Sequence, residues 1–445
     1  MNETAGTKRL LIFDIVGLQP DHLSPEATPN LSSLCGDNVA SLRPPFPAVT
    51  APSQTTLATG QSPATHGDVA NGKYDRDSDT VTFWGRDRDG RDRLWETASE
   101  AGLQTGVLFF QHIKGTTADI ALTPSPIEDE NNDLVEMNCW SNPDGFYDDL
   151  VEEYGHFPLH NYWGPLAGRE GTEWILTAAG EAIDRYDPDL LWVYIPHLDY
   201  VGLREGPGAE FRSEVEVVDS LIGTFFDERR ADDRWEETTT AVISEYGFNA
   251  VEGPIFPNRA LNDVGLLSVA NDGDVDLINS QAFALADHQV AHVYANQDVI
   301  SDARSALEKR SGIAEIREPN PSDSHPNSGD LVLVAERDAW FQYYWWYDET
   351  AAPPYASEVD IHAKPGFDPC ELFFGETGMV SLDPTKIGGS HGRNDANVYG
   401  IFGLGGPAAP AIETDTLDAR AVTPTIAELL DIGHSNGYLE CSSVL

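Results

Sequence analysis

The stretch RLLIFDIV, residues 9–16, is a short apolar run with one acidic residue near its end, and Gly17 follows it. Such a run is typical of a strand that is buried on both faces of a parallel sheet. Three later runs have the same character, at residues 104–110, 190–195 and 240–244. Segments with helical spacing separate them, at residues 53–59, 94–101, 173–185 and 214–226. Strands that alternate with helices predict an α/β fold, in which a mostly parallel sheet is covered by helices on both faces.

The pattern changes after residue 250. Two further strands and a helix are predicted at residues 289–295, 331–335 and 299–309, with a short strand at 313–316. We interpret residues 251–354 as a small inserted α+β cap. The main core then comprises residues 1–250 and 355–445.

The charge of the chain restricts its partners. Its 445 residues include 74 acidic and 27 basic residues, for a formal net charge of −47. This charge excludes a general nucleic-acid-binding surface, because phosphate contacts need clustered Lys and Arg, and it opposes docking on anionic membranes. A hydrophobic content of 40% and 10 Trp residues oppose disorder. We therefore predict a halophilic type of protein, whose acidic surface is screened in concentrated salt.

The cysteines and the N-terminus bear on the cellular compartment. The four cysteines are scattered and form no CxxC pair, which opposes a zinc knuckle or a dense disulfide framework and favours a reducing compartment: Cys35, Cys139, Cys370 and Cys441. Too few apolar residues precede Asp14 for a signal peptide, and no segment nears the roughly 20 apolar residues that span a bilayer. We expect a cytoplasmic protein without a membrane segment.

Carboxylates end three of the predicted strands. Asp14 lies in the first strand, Asp199 follows the strand at 190–195, and Glu245 follows the strand at 240–244. A single carboxylate after a strand is commonly a helix cap. Because the chemistry of such sheets collects at the carboxyl ends of their strands, three together predict a functional site.

The segment PAVTAPSQTTLATGQSPATHGDVANGKYD, residues 47–75, is the most informative part of the chain. Thr50 stands where the predicted helix begins, so its hydroxyl lies beside free backbone N–H groups that can hold a phosphoryl oxygen. A bound metal could lower the pKa of this hydroxyl and make it a nucleophile. Taken alone, a Thr in this position is more often an ordinary N-cap residue.

This segment resembles the nucleophile region of the nucleotide pyrophosphatases/phosphodiesterases, a branch of the alkaline phosphatase superfamily. In that family a Thr-x-Pro-Asn turn precedes a helix ending in Thr-Gly, followed by Pro-x-x-His-Gly and an Asn. The matching residues here are Thr50-Ala51-Pro52-Ser53, Thr59-Gly60, Pro63, His66-Gly67 and Asn71. The resemblance implies an alkaline-phosphatase-like core with Thr50 as nucleophile and Asn71 as a ligand of a phosphoryl oxygen. It leaves His66 a structural role.

The same resemblance implies a metal site. Asp14, Asp199 and His391 match metal-binding residues of the family, which hold two divalent ions on either side of the nucleophile. Thr50 contacts the ions in the same scheme. The resemblance gives zinc as the usual metal, whereas an oxygen-rich site would favour Mn or Mg.

Two departures weaken this metal site. The family's His four positions after Asp199 is Leu203 here, and its Asp-His pair is Glu245-Tyr246. Glu can serve as an oxygen ligand, but Leu cannot bind metal and Tyr rarely replaces a neutral His on zinc. The segments SEYGF and DIHAKPGFDP are similar to a divergent bacterial and archaeal subgroup of the family.

We expect the second of those segments to supply the missing ligand. His362 is predicted to fill the gap left by Leu203, with Asp360 and Asp368 nearby, and Lys364 is predicted to meet substrate charge. A buried, hydrogen-bonded histidine is the alternative for His362. His197, two residues before Asp199, is a second possible replacement.

Two further clusters have competing interpretations. The segment ALADHQVAHVY, residues 284–294, offers Asp287, His288 and His292, but its alternation favours a cap strand that faces the core over a metal site. The aromatic residues at 340–346 could line a substrate cleft, although a packed seam between cap and core is favoured.

These observations predict a metal-dependent hydrolase of phosphodiester or pyrophosphate bonds, which acts on a small phosphorylated substrate through a phospho-threonine. A phosphomonoesterase is the nearest alternative. A sulfatase is disfavoured, because that class needs Cys or Ser as nucleophile with an Arg shortly after it, and Thr50 lacks that Arg. Leu203 and Tyr246 motivate a different alternative, a non-catalytic protein of the same fold that binds a phosphorylated ligand.

Overall fold

The computed structural model describes residues 8–129, 134–270, 273–319, 324–433 and 439–445. Its central element, within these residues, is a nine-stranded mixed sheet. The strands lie in the spatial order Thr416–Asp418, Val39–Arg43, Gly400–Gly405, Thr238–Ile243, Arg9–Ile15, Leu190–Ile195, Thr105–Leu108, Ile120–Pro124 and Cys139–Asn142.

The middle of this sheet is parallel. Arg9–Ile15 pairs in parallel with Leu190–Ile195 on one side and with Thr238–Ile243 on the other. Gly400–Gly405 and Cys139–Asn142 each pair antiparallel with a neighbour nearer the centre. Every residue of the three central strands is buried, as the apolar runs predict for strands covered on both faces. The prediction of a mostly parallel α/β sheet is therefore confirmed.

Helices cover both faces of the sheet. The α-helices are Pro29–Cys35, Thr50–Thr59, Pro63–His66, Leu94–Glu100, Phe146–Tyr154, Arg169–Tyr186, His197–Glu205, Ala209–Arg229, Pro257–Asp263, Ile300–Leu307 and Val422–Leu429. The rings of Phe225 and Phe226 pack edge-on against Phe13 of the central strand, at 5.2 and 5.4 Å between centroids. Asp219 lies in the helix Ala209–Arg229, as do Phe225 and Phe226, and it accepts hydrogen bonds from the backbone N–H groups of Asn30 and Leu31. It thereby satisfies donors that the first turn of a helix leaves open.

A smaller antiparallel sheet occupies the predicted cap region. Its strands follow the order Ala282–Asp287, Val290–Ala295, Leu331–Ala335 and Ile313–Arg317. The first two form a hairpin through His288 and Gln289. Because one buried apolar cluster runs from the central sheet into this sheet, packing alone does not mark a boundary, and the limits at residues 251 and 354 stay a prediction.

Short strand pairs complete the described structure. They are Gly72–Asp75 with Thr80–Phe83, Ile127–Glu128 with Leu134–Glu136, Asn249–Ala250 with Gly389–Ser390, and Gly253–Ile255 with Ala339–Phe341. The third pair matters for the site, because it joins the residues just after Glu245 to those just before His391. Of the helices described, none has both the length and the apolar character to cross a bilayer.

Candidate active site

Thr50 opens the helix Thr50–Thr59 at the base of a cavity of about 970 Å³. The helix begins three residues earlier than its sequence pattern predicts, and it ends at Gly60, whose left-handed φ of 71° stops the chain as expected. The side chain of Thr50 is buried, with the residue only 4% exposed, yet it lines the cavity. Its hydroxyl therefore faces a bound ligand from the positive end of a helix dipole.

One hydrogen bond holds the Thr50 hydroxyl. Its Oγ1 lies 2.9 Å from the Tyr246 hydroxyl, which in turn donates to Asp199 Oδ1 at 3.4 Å. The Tyr246 ring stacks on His391, with 3.9 Å between centroids. Burial, followed by the negative charges of Asp199 and Glu245, raises the pKa of Tyr246 well above its ordinary value. The Tyr246 hydroxyl therefore stays protonated and serves as a hydrogen-bonding neighbour of Thr50.

Asp14 and Glu245 are adjacent carboxylates at the ends of two paired strands. The strand register sets Asp14 beside Ile243, two residues before Glu245. Gly17, with φ of 89°, turns the chain away just after Asp14. Burial raises the pKa of Asp14 well above its ordinary value. Burial also raises the pKa of Glu245, and the charges of Asp14 and Asp199 add to the effect. Two like charges buried together call for a neutralising cation or a shared proton.

Asp199 and His391 form the opposite side of the site. Asp199 lies in the first turn of the helix His197–Glu205, which follows the strand Leu190–Ile195. His391 Nδ1 lies 2.8 Å from the carbonyl oxygen of Ala48, to which it donates. Its Nε2 lies 3.4 Å from Asp199 Oδ1, without the geometry of a hydrogen bond. That hydrogen bond to Ala48 fixes the ring and leaves Nε2 as the nitrogen that can bind a cation.

Asn71 lies against the start of the nucleophile helix. Its Oδ1 accepts from the backbone N–H of Ala51 at 2.8 Å. Its own backbone N–H and Nδ2 donate to the Asp287 carboxylate at 2.7 and 3.1 Å. The side-chain amide of Asn71 is thus fixed beside the start of the helix that carries Thr50.

The carboxylates and imidazoles of the site are of the kinds that can bind a divalent cation. Among the buried side-chain atoms that have no hydrogen-bond partner within the described residues, six belong to these groups: Asp14 Oδ1 and Oδ2, Glu245 Oε1 and Oε2, His288 Nε2 and His391 Nε2. Each such atom costs about 1–3 kcal/mol unless something binds it. Carboxylate oxygens and imidazole nitrogens are the ligands of zinc and manganese. In the described part of the chain, no three His, Cys, Asp or Glu side chains are spaced closely enough to form a complete metal cluster.

Two predicted site residues have other partners. Both ring nitrogens of His362 are engaged, Nδ1 with the Phe83 carbonyl oxygen at 3.0 Å and Nε2 with Arg86 Nη2 at 2.7 Å. His362 lines the cavity wall, but these two contacts leave it no nitrogen to fill the gap that Leu203 was predicted to leave.

Lys364 likewise does not reach the cavity. Its buried ammonium group lies 3.1 Å from Asp368 and 2.6 Å from Glu371. Burial opposes this charge, but the two carboxylates outweigh burial and raise the pKa of Lys364. The prediction that Lys364 contacts the substrate is therefore corrected, because Asp368 and Glu371 neutralise its charge inside the protein.

His288 lies at the site although its sequence pattern favoured an ordinary cap strand. It occupies the hairpin turn that follows Ala282–Asp287, and its ring centroid is 3.8 Å from that of His391. His292, by contrast, lies in a buried strand as the alternating pattern predicts, and its Nε2 lies 3.0 Å from the Val69 carbonyl oxygen. The missed signal is the adjacent Asp287-His288 pair at the end of a strand, where a turn can aim both side chains at a neighbour.

The other histidines near these motifs have structural partners. His66 Nε2 lies 3.0 Å from Thr56 Oγ1, and its Nδ1 accepts from the Asp68 backbone N–H. His197 lies between Thr172 and Glu214, at 3.2 and 2.8 Å. Neither ring has a nitrogen left for a metal.

Aromatic rings form much of the cavity wall. The lining includes Trp84, Phe109, Tyr162, Trp163, Tyr200 and Phe367. Trp84, Phe109 and His288, all on this wall, have positive φ angles that side chains rarely adopt. Such backbone strain collects at ligand-binding sites. The aromatic residues at 340–346 lie outside the lining and are buried in packing, as a seam between the two sheets would require.

Comparison with known proteins agrees with this architecture. The family model described as Type I phosphodiesterase / nucleotide pyrophosphatase matches residues 10–368. A Schizosaccharomyces pombe protein named as an uncharacterized pyrophosphatase/phosphodiesterase is 24% identical over 323 residues, which is 66% of this chain and 59% of that protein. Bovine ectonucleotide pyrophosphatase/phosphodiesterase family member 3 is 29% identical over 116 residues, or 23% of this chain and 13% of its own.

Solved structures show the same fold. Murine ectonucleotide pyrophosphatase/phosphodiesterase 5, an inactive form in complex with AMP, aligns with a TM-score of 0.60 at 16% identity and covers 96% of both chains. A second structure of the murine protein gives the same score. The family match extends over most of the chain and includes every element that carries the site except His391. The protein therefore belongs to the type I phosphodiesterase/nucleotide pyrophosphatase family.

Proposed function

We propose that this protein hydrolyses phosphodiester or pyrophosphate bonds with the help of divalent cations, through a phosphorylated Thr50. One observation carries the proposal. The Thr50 hydroxyl lies at the start of a helix and at the base of a cavity, and the nearby carboxylates and imidazoles leave six buried donor atoms without a protein partner.

The reaction proceeds in two displacements. In the first, Thr50 Oγ1 attacks phosphorus, an O–P bond forms, and the bond from phosphorus to the leaving oxygen breaks. The leaving oxygen takes a proton from solvent. In the second, the oxygen of a water molecule attacks the same phosphorus, the bond from phosphorus to Thr50 Oγ1 breaks, and the phosphoryl product leaves. The proton that Thr50 gave up in the first step returns to its oxygen, and the proton lost by the attacking water goes to solvent. The helix N-terminus and Asn71 stabilise negative charge on the non-bridging oxygens.

The hydrogen bonds of Tyr246 give the nucleophile's proton a path. A carboxylate only accepts hydrogen bonds, so the Tyr246 hydroxyl donates to Asp199. Its oxygen is then left to accept from the Thr50 hydroxyl at 2.9 Å. As Thr50 attacks, its proton passes to Tyr246 and the Tyr246 proton passes to Asp199.

Two groups of residues would hold the cations. The first group consists of Asp14, Glu245 and Thr50, which offer only oxygen atoms. The second group includes Asp199 and His391, which offer an oxygen and a nitrogen. When bound, divalent cations supply charge that polarises the phosphate and lowers the pKa of the nucleophile's hydroxyl. Zn, Mn and Mg are the candidate ions. Without them, the paired carboxylates Asp14 and Glu245 would share protons instead of staying ionised.

We infer that the small phosphorylated substrate is a nucleotide. The murine neighbour is in complex with AMP. In this chain Trp84, Tyr162 and Trp163 give the cavity aromatic faces on which a base can stack. Arg86 adds a positive charge on the same wall, 3.5 Å from Glu128.

The test is trapping of the intermediate. Thr50→Ala is expected to remove turnover of bis(p-nitrophenyl) phosphate and of nucleotide diesters, and to abolish labelling of the protein by a radioactive phosphoryl group. Thr50→Ser is expected to keep both in part. Thr59→Ala on the same helix is the matched control, because its hydroxyl bonds only backbone, at the far end. Turnover by Thr50→Ala near the wild-type rate would rule the mechanism out.

A phosphorylated-ligand-binding protein without catalysis is the second candidate, and Leu203 and Tyr246 are the observations that favour it. It predicts that AMP raises the melting temperature while no diester or monoester is hydrolysed with Zn, Mn or Mg. Hydrolysis of p-nitrophenyl phosphate without hydrolysis of diesters would instead indicate a phosphomonoesterase.

We also propose a finer placement within the family. On the basis of Ser244-Glu245-Tyr246, we place the chain in the divergent subgroup of the family. On the basis of its net charge of −47, we place it in the cytoplasm of a halophilic organism. Activity that rises with salt and is lost in dilute buffer would support the second assignment.

A further inference from the structure

The backbone of His288 has a positive φ angle, which side-chain-bearing residues rarely adopt. It stands in the hairpin turn between Ala282–Asp287 and Val290–Ala295 with φ of 59°. A non-glycine residue in such a conformation costs on the order of 1–3 kcal/mol, which the surroundings must offset. The ring stacks on Phe367 at 3.8 Å between centroids, and it is only 2% exposed while it lines the cavity.

The hydrogen bonds of His288 fix its tautomer. Nδ1 lies 2.7 Å from Asp287 Oδ1, and because a carboxylate accepts only, Nδ1 carries the proton. With Nδ1 as the donor, the neutral ring presents a lone pair on Nε2, and Nε2 has no partner within the described residues. A carboxylate-held neutral imidazole is the usual form of a metal-binding histidine.

The ring of His288 lies beside a residue of one proposed cation position. The ring of His391 is 3.8 Å away between centroids, and its Nε2 is also without a hydrogen-bond partner. That Nε2 lies 3.4 Å from Asp199 Oδ1. The residue one helical turn after Asp199 is the buried Leu203, which offers no donor atom. Two neighbouring imidazole rings, each with an unpartnered Nε2, thus lie next to a carboxylate whose helix offers no further donor atom at Leu203.

We propose that His288 is a ligand of the cation held by Asp199 and His391, in place of the side chain that Leu203 cannot supply. The inference rests on the proposed function and makes the two cation positions chemically different. Two imidazoles and a carboxylate select a transition metal such as Zn²⁺. The oxygen-only set of Asp14, Glu245 and Thr50 suits Mg²⁺ or Mn²⁺.

Asp287 links this ligand to substrate binding. The same carboxylate that holds His288 accepts both hydrogen bonds from Asn71, which contacts the N-terminus of the nucleophile helix. Occupation of the His288 position by a cation would therefore fix Asn71 as well. The region predicted as a cap contributes to the site through this pair.

The experiment is isothermal titration of the metal-stripped, full-length protein with Zn²⁺ and, separately, with Mg²⁺ and Mn²⁺. His288→Ala is expected to weaken the tightest Zn²⁺ event by roughly a hundredfold and to leave Mg²⁺ binding unchanged. His292→Ala is the matched control. It is buried on the adjoining strand, and its two nitrogens bond the Val69 carbonyl oxygen and the Gly329 N–H.

The outcomes separate the two proposals. If wild-type protein binds Zn²⁺ and His288→Ala binds it equally well, the inference fails while the proposed function stands. If wild-type protein binds none of the three ions, both fail. A measurement on unaltered protein covers the case of a misfolded variant: electron spin echo modulation of the Cu²⁺-loaded protein should report two bound imidazoles. A single imidazole, from His391 alone, would overturn the assignment.

Discussion

Removal of the Tyr246 hydroxyl is the sharpest test of the nucleophile's environment. Tyr246→Phe keeps the fully buried ring and its stacking on His391 but deletes the oxygen that lies 2.9 Å from Thr50 Oγ1 and 3.4 Å from Asp199 Oδ1. The contact with Asp199 is long and contributes little to the free energy of unfolding. The contact with Thr50 contributes about 1 kcal/mol. Its loss also leaves the buried Thr50 hydroxyl without a hydrogen bond in the described structure, which adds a similar cost. We expect the free energy of unfolding to fall by about 1–2 kcal/mol.

The effect on catalysis follows from the same contacts. Without its acceptor, the Thr50 hydroxyl loses both its orientation and the path of its proton to Asp199. At about 1.4 kcal/mol per factor of ten, a loss of 1–3 kcal/mol in the transition state lowers kcat/KM about ten- to hundredfold. Because burial keeps the pKa of Tyr246 far above its ordinary value, the ratio of the two rates should stay constant between about pH 6 and pH 9.

Urea unfolding and steady-state hydrolysis of bis(p-nitrophenyl) phosphate measure the two effects. Tyr343→Phe is the control, since Tyr343 is equally buried and its hydroxyl has no hydrogen-bond partner among the described residues. It should be neutral or slightly stabilising, with unchanged activity. If Tyr246→Phe retains wild-type kcat/KM, Tyr246 does not position or deprotonate the nucleophile.

Three further predictions concern stability and metal binding. For Asp68, burial opposes ionisation, but its hydrogen bonds and the charge of Arg91 lower the pKa from 3.8 to about 2. A lowered pKa stabilises the fold above about pH 4 and loses that contribution as the pH falls through 2, so Asp68→Asn should cost roughly 2 kcal/mol at neutral pH and little at pH 2 in urea titrations; an equal cost at both would contradict the ion pair. With a net charge of −47, the melting temperature should rise steeply from dilute buffer to molar KCl, and a flat profile would contradict the halophilic assignment. Leu203→His in the His288→Ala background should restore Zn²⁺ affinity at least tenfold in calorimetry, because residue 203 lies one turn from Asp199 on the same helix face, and no recovery would mean that this face does not meet the cation.

Local patterns in the sequence were sufficient to predict the centre of the sheet and to single out part of the candidate site. The apolar runs predicted strands buried on both faces, and the structure has them as the centre of the sheet. Thr50 was singled out through the family resemblance, whereas Asp14 and Glu245 were singled out because each stands at the end of a strand. Parallel strands bring such ends to one edge whatever the loops do between them.

The tertiary structure alone decided which side chains complete the site. His362 lies near the chain's return to the core, yet contacts with Phe83 and Arg86 use both of its nitrogens, and the charge of Lys364 is neutralised by buried carboxylates. His288 is far from His391 in sequence, but a hairpin turn with positive φ brings the two rings to 3.8 Å. A sequence pattern records which face of a strand is apolar. It does not record which turn meets which neighbour, because that depends on how two separate sheets pack together.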